Sequence, residues 1–179
     1  MSQYEVEVVL LESIAEINHL GCETYRPHYP HLWYSPEGIE WYLDKCFSEA
    51  QLALDLSNPS IHYYVIRVNN KAAGILKLVK NKAPLDWDAQ ECLYLEKIYF
   101  LKPYTGKGLG QKTMDWVFDQ ARQWQLNKVW LMAMDSSQKA IAGYQKAGFS
   151  FLANTRLDDE EFCRLKSELR GMIILGKHL

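Results

Sequence analysis

Three glycines at alternate positions, Gly106, Gly108 and Gly110, fall in the run Tyr104-Thr105-Gly106-Lys107-Gly108-Leu109-Gly110, between a strand-like and a helix-like segment. Glycines so spaced let main-chain amides approach a ligand with no side chain in the way. The helix start behind them adds unpaired N–H groups and the positive end of the dipole, which suits a phosphate. A flexible turn with no ligand is the other reading of such a loop. Two familiar phosphate loops fit badly. A Walker-type loop wants glycine five residues before its Gly-Lys-Ser/Thr, but Leu101 stands there and Gly108 follows Lys107. A dinucleotide fingerprint wants its third glycine where Gln111 lies, near the start of a repeated βαβ array, and here four candidate strands come first.

A carboxylate and a phenol are the other candidates. Glu96 lies in Leu93 to Leu101, a segment that reads as a strand, and period-2 geometry puts it with Tyr94, Ile98 and Phe100. Such neighbours would raise its pKa, as a general base requires; a solvated or salt-bridged glutamate beside Lys97 is the alternative. Tyr144 follows Ile141 on the apolar face of a short helix, a place where a tyrosine taken alone is more often core. Tyr25, His28, Tyr29, His31, Trp33, Tyr34, Trp41 and Tyr42 form an aromatic cluster that either lines a pocket or packs. Aromatics beside carboxylates suit a cationic amine.

The elements that must position these groups follow from periodicity. Tyr4 to Leu11 reads as a strand, Ser13 to Tyr25 as a helix, and Arg26 to Pro36 as a proline-punctuated loop. Ser35 and Pro36 open a second helix carrying Ile39, Tyr42, Leu43 and Cys46, with Ser35 as its cap. Ile61 to Val68 and Gly74 to Val79 are strands joined through the turn Asn69-Asn70-Lys71. After the glycine loop, Met114, Val117, Phe118, Ala121 and Trp124 mark an amphipathic helix. Lys128 to Met134 is a strand, Ser137 to Ala147 a helix, Phe149 to Ala153 and Met172 to Leu175 strands, and Glu160 to Arg170 helix or loop. The run Asp158 to Glu161 reads as a solvated helix start. This order predicts an α/β protein, a mixed sheet with helices on both faces.

Two segments together resemble a known family. Leu95 to Phe100 followed by Thr105 to Gly110 is similar to the pyrophosphate motif Q/R-x-x-G-x-G/A of GNAT acetyltransferases, and Ser137 to Phe149 is similar to their second motif, N-x-x-A-I-x-x-Y-x-x-x-G-F. The likeness covers roughly residues 93 to 150; the first half agrees only in its order of elements. Thr105 and Ser137 depart from the usual Gln/Arg and Asn.

The resemblance implies a GNAT-like fold over residues 1–179 as one N-acetyltransferase domain, with acetyl-CoA as cosubstrate. The amides of Gly106, Lys107, Gly108, Leu109, Gly110 and Gln111 would hold the CoA pyrophosphate. The main chain of Ile98, Tyr99 and Phe100 would pair with the pantetheine arm, and Ser137, a competent helix cap, would stand at the cofactor. Tyr144 would protonate the departing thiolate, a phenol of pKa about 10 serving a thiol near 8.5. Glu96 would accept a proton from the amine, whose deprotonation at pH 7 costs roughly 4–5 kcal/mol. A glutamate here is similar to that of spermidine/spermine-type acetyltransferases and points to a small-molecule amine such as a polyamine. Protein N-terminal or lysine acetylation is the alternative; ribosomal-protein N-terminal acetyltransferases carry a glutamate where this chain has Met132. A non-catalytic acyl-CoA-binding module is a third reading.

Composition bounds the rest. The 179 residues suffice for one buried core, and a formal charge of -2 offers no general attraction to nucleic acid. No apolar run approaches the ~20 residues of a membrane span, and Met1 to Glu5 shows no leader, so a cytoplasmic setting is expected. The four cysteines form no metal-ligand cluster with the histidines and read as reduced thiols. No nucleic-acid or membrane partner is expected, and a homodimer is left open.

Overall fold

In the computed structural model, which describes residues 4–179, β1 (Val6–Leu10) leads into α1 (Ile14–Tyr25), whose cap Ser13 accepts from the Glu16 amide at 3.3 Å. Residues Met1 to Gln3, part of the stretch read as lacking a leader, lie outside the described residues. α2 (Pro36–Phe47) starts with proline in its first turn, but Ser35 makes no capping hydrogen bond, contrary to the expectation. The Ser35 hydroxyl instead holds the nearby Glu37 carboxyl below its ordinary value.

Next comes α3 (Glu49–Ser57), which the sequence reading passed over. Its nine residues are too few to display a full apolar period, and only Leu52 and Asp55 are buried. β2 (Ile61–Val68) and β3 (Lys71–Lys80) form the expected hairpin. Asn69 and Asn70 both take left-handed φ values, 49° and 65°, matching the strands' twist. β4 (Cys92–Phe100), α4 (Leu109–Gln123), β5 (Lys128–Met134), α5 (Gln138–Lys146), β6 (Ser150–Arg156) and β7 (Gly171–His178) complete the chain. The undecided stretch from Glu160 to Arg170 forms short 3-10 turns, with Glu161 paired to Lys45 and Asp158 to Arg156.

Among the described residues, seven strands make one mixed sheet in the order β1-β2-β3-β4-β5-β7-β6, antiparallel except between β4 and β5. On one face, Met114, Val117 and Phe118 of α4 and Ile141 of α5 pack on Leu76, Leu78, Leu93, Leu95 and Leu131. On the other, Ile17, Phe47 and Leu52 from α1–α3 cover Tyr63, Val65 and Ile75. Each such side chain, fully buried, contributes roughly 1.5–3 kcal/mol. The α/β reading with helices on both faces is therefore the architecture found.

Candidate functional site: a cleft between β4 and β5

The parallel ladder between β4 and β5 is short. It pairs Cys92, Leu93 and Tyr94 with Lys128, Val129 and Trp130, and then stops although both strands run on. Tyr94 and Trp130 stack with ring centroids 4.0 Å apart at the point of separation. Beyond them the strands diverge around a cavity of about 350 Å³. Its walls come from Leu95 to Tyr99 on β4, Leu131 to Met134 on β5, Ser137 and Tyr144 at α5, and Tyr25, Tyr29, Trp33 and Tyr42 from the first half of the chain.

A bulge in β4 decides which side chains enter this space. Opposite β3, Lys77 pairs with Lys97 and Leu78 with Leu95, so Glu96 is the extra residue. The insertion flips the alternation. Leu93 and Leu95 share the α4 face with Ile98 and Phe100, while Tyr99 joins the aromatics of α1 and α2. Glu96 therefore does not share a face with Ile98 and Phe100, as strict period-2 geometry predicts. It lines the cavity together with its own neighbour Lys97.

The carboxylate's chemistry differs from the expectation too. Lys77 Nζ lies 2.9 Å from Glu96 and 2.8 Å from Asp55. Burial pushes the Glu96 pKa upward, but the charges of Lys97 and Lys77 outweigh it and hold the carboxyl below its ordinary 4.5. Glu96 is thus an ionised, ion-paired group rather than a carboxyl raised toward neutrality. Asp55 is braced in turn by the Tyr63 hydroxyl at 2.6 Å and Gln51 Nε2 at 2.8 Å.

The salt-bridged alternative for Glu96 is the one found, with Lys77 as the contact rather than the adjacent Lys97; sequence reasoning missed Lys77 and Asp55. The signal was present: Lys77 alone interrupts the otherwise apolar run Gly74 to Val79, at a place now buried. A buried lysine calls for a partner.

Tyr144 faces the same cavity from α5, packed near Phe149, and burial raises its phenol to about 12, so it stays protonated. Ser137 lies in the wall but its hydroxyl makes no capping bond to α5, a departure from the expected cap. Met132, where a glutamate would signal another acetyltransferase class, is also in the wall. Of the aromatic cluster, Tyr25, Tyr29, Trp33 and Tyr42 line the cavity. His28 instead meets the Phe100 carbonyl through Nε2 at 3.0 Å. Trp41 packs edge-on to Trp33 and Phe162, and the Tyr34 hydroxyl accepts from the Ser167 amide.

The main chain of β4 is divided between two neighbours. The Leu101 amide donates to Ala73 on the β3 side at 2.8 Å, and the Tyr99 carbonyl lies against Gly74, where no Cβ would fit. Successive residues of a strand point their amides to opposite sides. Those of Ile98 and Phe100 therefore face the cleft, whereas Tyr99 spends its own on β3.

At the α4 end the glycine loop has the shape a diphosphate needs. Gly106 and Gly108 take φ values of +74° and +73°, and a Cβ added at 106, 108 or 110 would meet nothing within 4 Å. The helix has no side-chain cap. Among the described residues, the amides of Gly106, Lys107, Gly108, Leu109, Gly110 and Gln111 donate to no protein acceptor. Thr105 differs: its amide and hydroxyl both turn back to the Lys102 carbonyl, at 3.3 and 2.9 Å, so the cradle begins at Gly106.

A family model described as the Acetyltransferase (GNAT) family matches residues 18–149. The chain belongs to the GNAT family. It is an N-acetyltransferase by that membership, and acetyl-CoA is the family's cosubstrate. Among curated relatives, an uncharacterised N-acetyltransferase of Lactobacillus delbrueckii subsp. lactis is 27% identical over 116 residues, 65% of this chain and 67% of the relative. One from Mycobacterium tuberculosis is 30% identical over 115 residues, 64% and 69% of the two chains. Among solved structures, PaiA N-acetyltransferase from Thermoplasma acidophilum in complex with coenzyme A superimposes with a TM-score of 0.71 at 18% identity, covering 98% of this chain and 99% of that one. At that identity the match speaks to the fold, and the open amides of residues 106–111 are what fit the GNAT cosubstrate here.

Proposed function

We propose that this GNAT protein, as a single domain, transfers an acetyl group from acetyl-CoA directly to the primary amine of a small molecule. One observation carries the reading. A row of uncommitted amides opens α4, the amides of Ile98 and Phe100 face the cleft beside β4, and that cleft holds both Glu96 and Tyr144. The amides of Gly106 to Gln111 would hold the pyrophosphate, and those of Ile98 and Phe100 the pantetheine arm. The bound cosubstrate supplies an activated acyl group on sulfur.

The amine nitrogen attacks the acyl carbon, so that a C–N bond forms as the C–S bond breaks. Glu96, already ionised, takes the proton the amine sheds, directly or through water. Tyr144 donates its phenolic proton to the leaving sulfur, and burial suits it by keeping that proton in place until the thiolate appears. No covalent acyl-enzyme is required; of the cysteines only Cys46 borders the cavity.

A polyamine was the acceptor suggested by Glu96, and this part of the reading finds no support in the cavity. Lys77 neutralises that carboxylate, and a second ammonium, Lys97, lies beside it. Met132 in the cavity wall leaves the protein-acetylating alternative without its glutamate. The unbridged cysteines agree with a reducing, cytoplasmic setting; no helix among the described residues is long and apolar enough to cross a membrane.

The test is thiol release from acetyl-CoA with a panel of small amines and of peptides. Release with small amines is expected. Release with peptides alone would transfer the reading to protein acetylation, and coenzyme A binding without release across the panel would reduce the protein to a binding module.

A further inference from the structure

Among the described residues, Lys97 is the one cavity-lining cation for which the protein supplies no counter-ion at contact distance. Its side chain is buried, the residue being only 7% exposed, and it borders the acceptor cavity. Among the described residues it makes no ion pair and no hydrogen bond; its ammonium stands over the faces of Tyr42 and Phe47, at 5.6 and 5.9 Å from their centroids. Its neighbour Lys77 is different, held between two carboxylates at under 3 Å each. Lys45, also on the cavity, is paired with Glu161. Burial opposes its charge, but nearby charge, that of Glu96 included, keeps Lys97 protonated. Yet no anion touches it, which leaves its N–H donors open to a ligand's anionic group.

Most of the remaining polar groups of the cavity are phenols, which can donate a proton to a ligand. Burial raises Tyr25, Tyr29, Tyr42 and Tyr99 above the ordinary phenol value, so all four remain neutral hydroxyls. The indole N–H of Trp33 is buried beside Tyr25 without an acceptor at hydrogen-bonding geometry. These donors and the Lys97 ammonium together are able to meet an anion. The β4 bulge also sets Glu96 and Lys97, consecutive residues of opposite charge, into the same cavity. A ligand whose amino and anionic groups are close together matches that pair; a polycation would bring like charge against Lys97.

We infer that the acceptor is an amino acid in the broad sense, its amine beside Glu96 and its carboxylate on Lys97. The inference rests on the acetyl-transfer reading for the amine's fate, but carboxylate recognition is measurable without turnover. N-acetylglycine, N-acetyl-leucine and N-acetylphenylalanine, each paired with its amide, are titrated by calorimetry into the protein saturated with coenzyme A. Each amide matches its acid in shape and lacks the charge.

At least one acid is expected to bind about ten-fold or more tighter than its amide, the worth of one charge-assisted hydrogen bond. Lys97→Met should abolish that preference while coenzyme A still binds. The comparison of acid with amide uses the unaltered protein, so it decides even if the variant fails to fold. Equal binding of acids and amides, or no binding of any acid at millimolar concentration, overturns the proposal. So does faster acetylation of phenethylamine than of phenylalanine. An acid preference with no acetylation of any amino acid sustains the anion site and counts instead against acetyl transfer.

Discussion

Tyr144 and Glu96 reach the cavity by different routes, and what each can do follows from its immediate neighbours. Tyr144 is surrounded by apolar groups, so its phenol stays protonated near neutral pH and is available as a donor. Replacement by Phe removes the proton and little volume. The expected outcome is a kcat lowered by about ten-fold or more, with coenzyme A affinity unchanged by calorimetry; an unchanged kcat would take Tyr144 out of the reaction. Glu96 is held ionised by Lys97 and Lys77, with its pKa below 4.5. It contributes no limb to a rate profile between pH 6 and 9. Glu96→Gln should lower kcat/KM across that range by a constant factor of about ten or more. A limb that moves with the substitution would mean a titrating Glu96 instead. Tyr144 was legible in the sequence because its motif is local; the depressed pKa of Glu96 was not, because Lys77 arrives from another strand.

Two local irregularities carry the site at the scale of elements. The first is the left-handed turn into α4. Gly108 sits at the helix cap with φ +73°, whereas Gly110 lies within the helix. Gly108→Ala puts a Cβ into a conformation that costs about 1–2 kcal/mol, and should weaken coenzyme A binding as the loop relaxes. Gly110→Ala finds open space and better helix propensity. It should stabilise by up to about 1 kcal/mol and retain coenzyme A, in keeping with the family motif's Gly or Ala there. Chemical denaturation and calorimetry on the two variants separate strain from ligand contact; equal effects would argue against the cradle. The second irregularity is the β4 bulge, which a single strand's sequence does not announce. Residues Leu93 to Phe100 read as plain alternation, and only the register against β3 reveals the residue too many. α3 escaped for a related reason, being too short to show a period of its own.

Across the whole molecule, a cluster of four charges links α3, β3 and β4 under the cavity. Lys77 bridges Asp55 and Glu96, with Lys97 alongside. Burial works to raise the Asp55 pKa, but bonds from Lys77 and Tyr63 leave it below its ordinary 3.8. Both carboxylates thus bind protons more weakly folded than unfolded. Their stabilisation is complete above pH ~4.5 and is lost as the pH falls through the depressed folded values. Lys77→Met strands Asp55 as a buried, unpaired charge and should cost about 3–5 kcal/mol at pH 7. That deficit should narrow on acidification from pH 7 to 5, because a protonated Asp55 needs no counter-ion. Urea unfolding at the two pH values is the check, and a deficit that widens would deny the cluster its structural role.

The strand and helix order, the phosphate-binding turn and the position of Tyr144 could be read along the chain, since each depends on residues within a few places of one another. The parting of β4 from β5 could not, nor the identity of the groups that face each other across it. The strands part just beyond the stacked Tyr94 and Trp130, next to a bulge visible only in the ladder with β3, and the pairing of Lys77 joins residues 22 positions apart in sequence on one side and 19 on the other. Charges so distant along a chain acquire partners only when the sheet brings them together, and it is those partners that set the chemistry of the cavity.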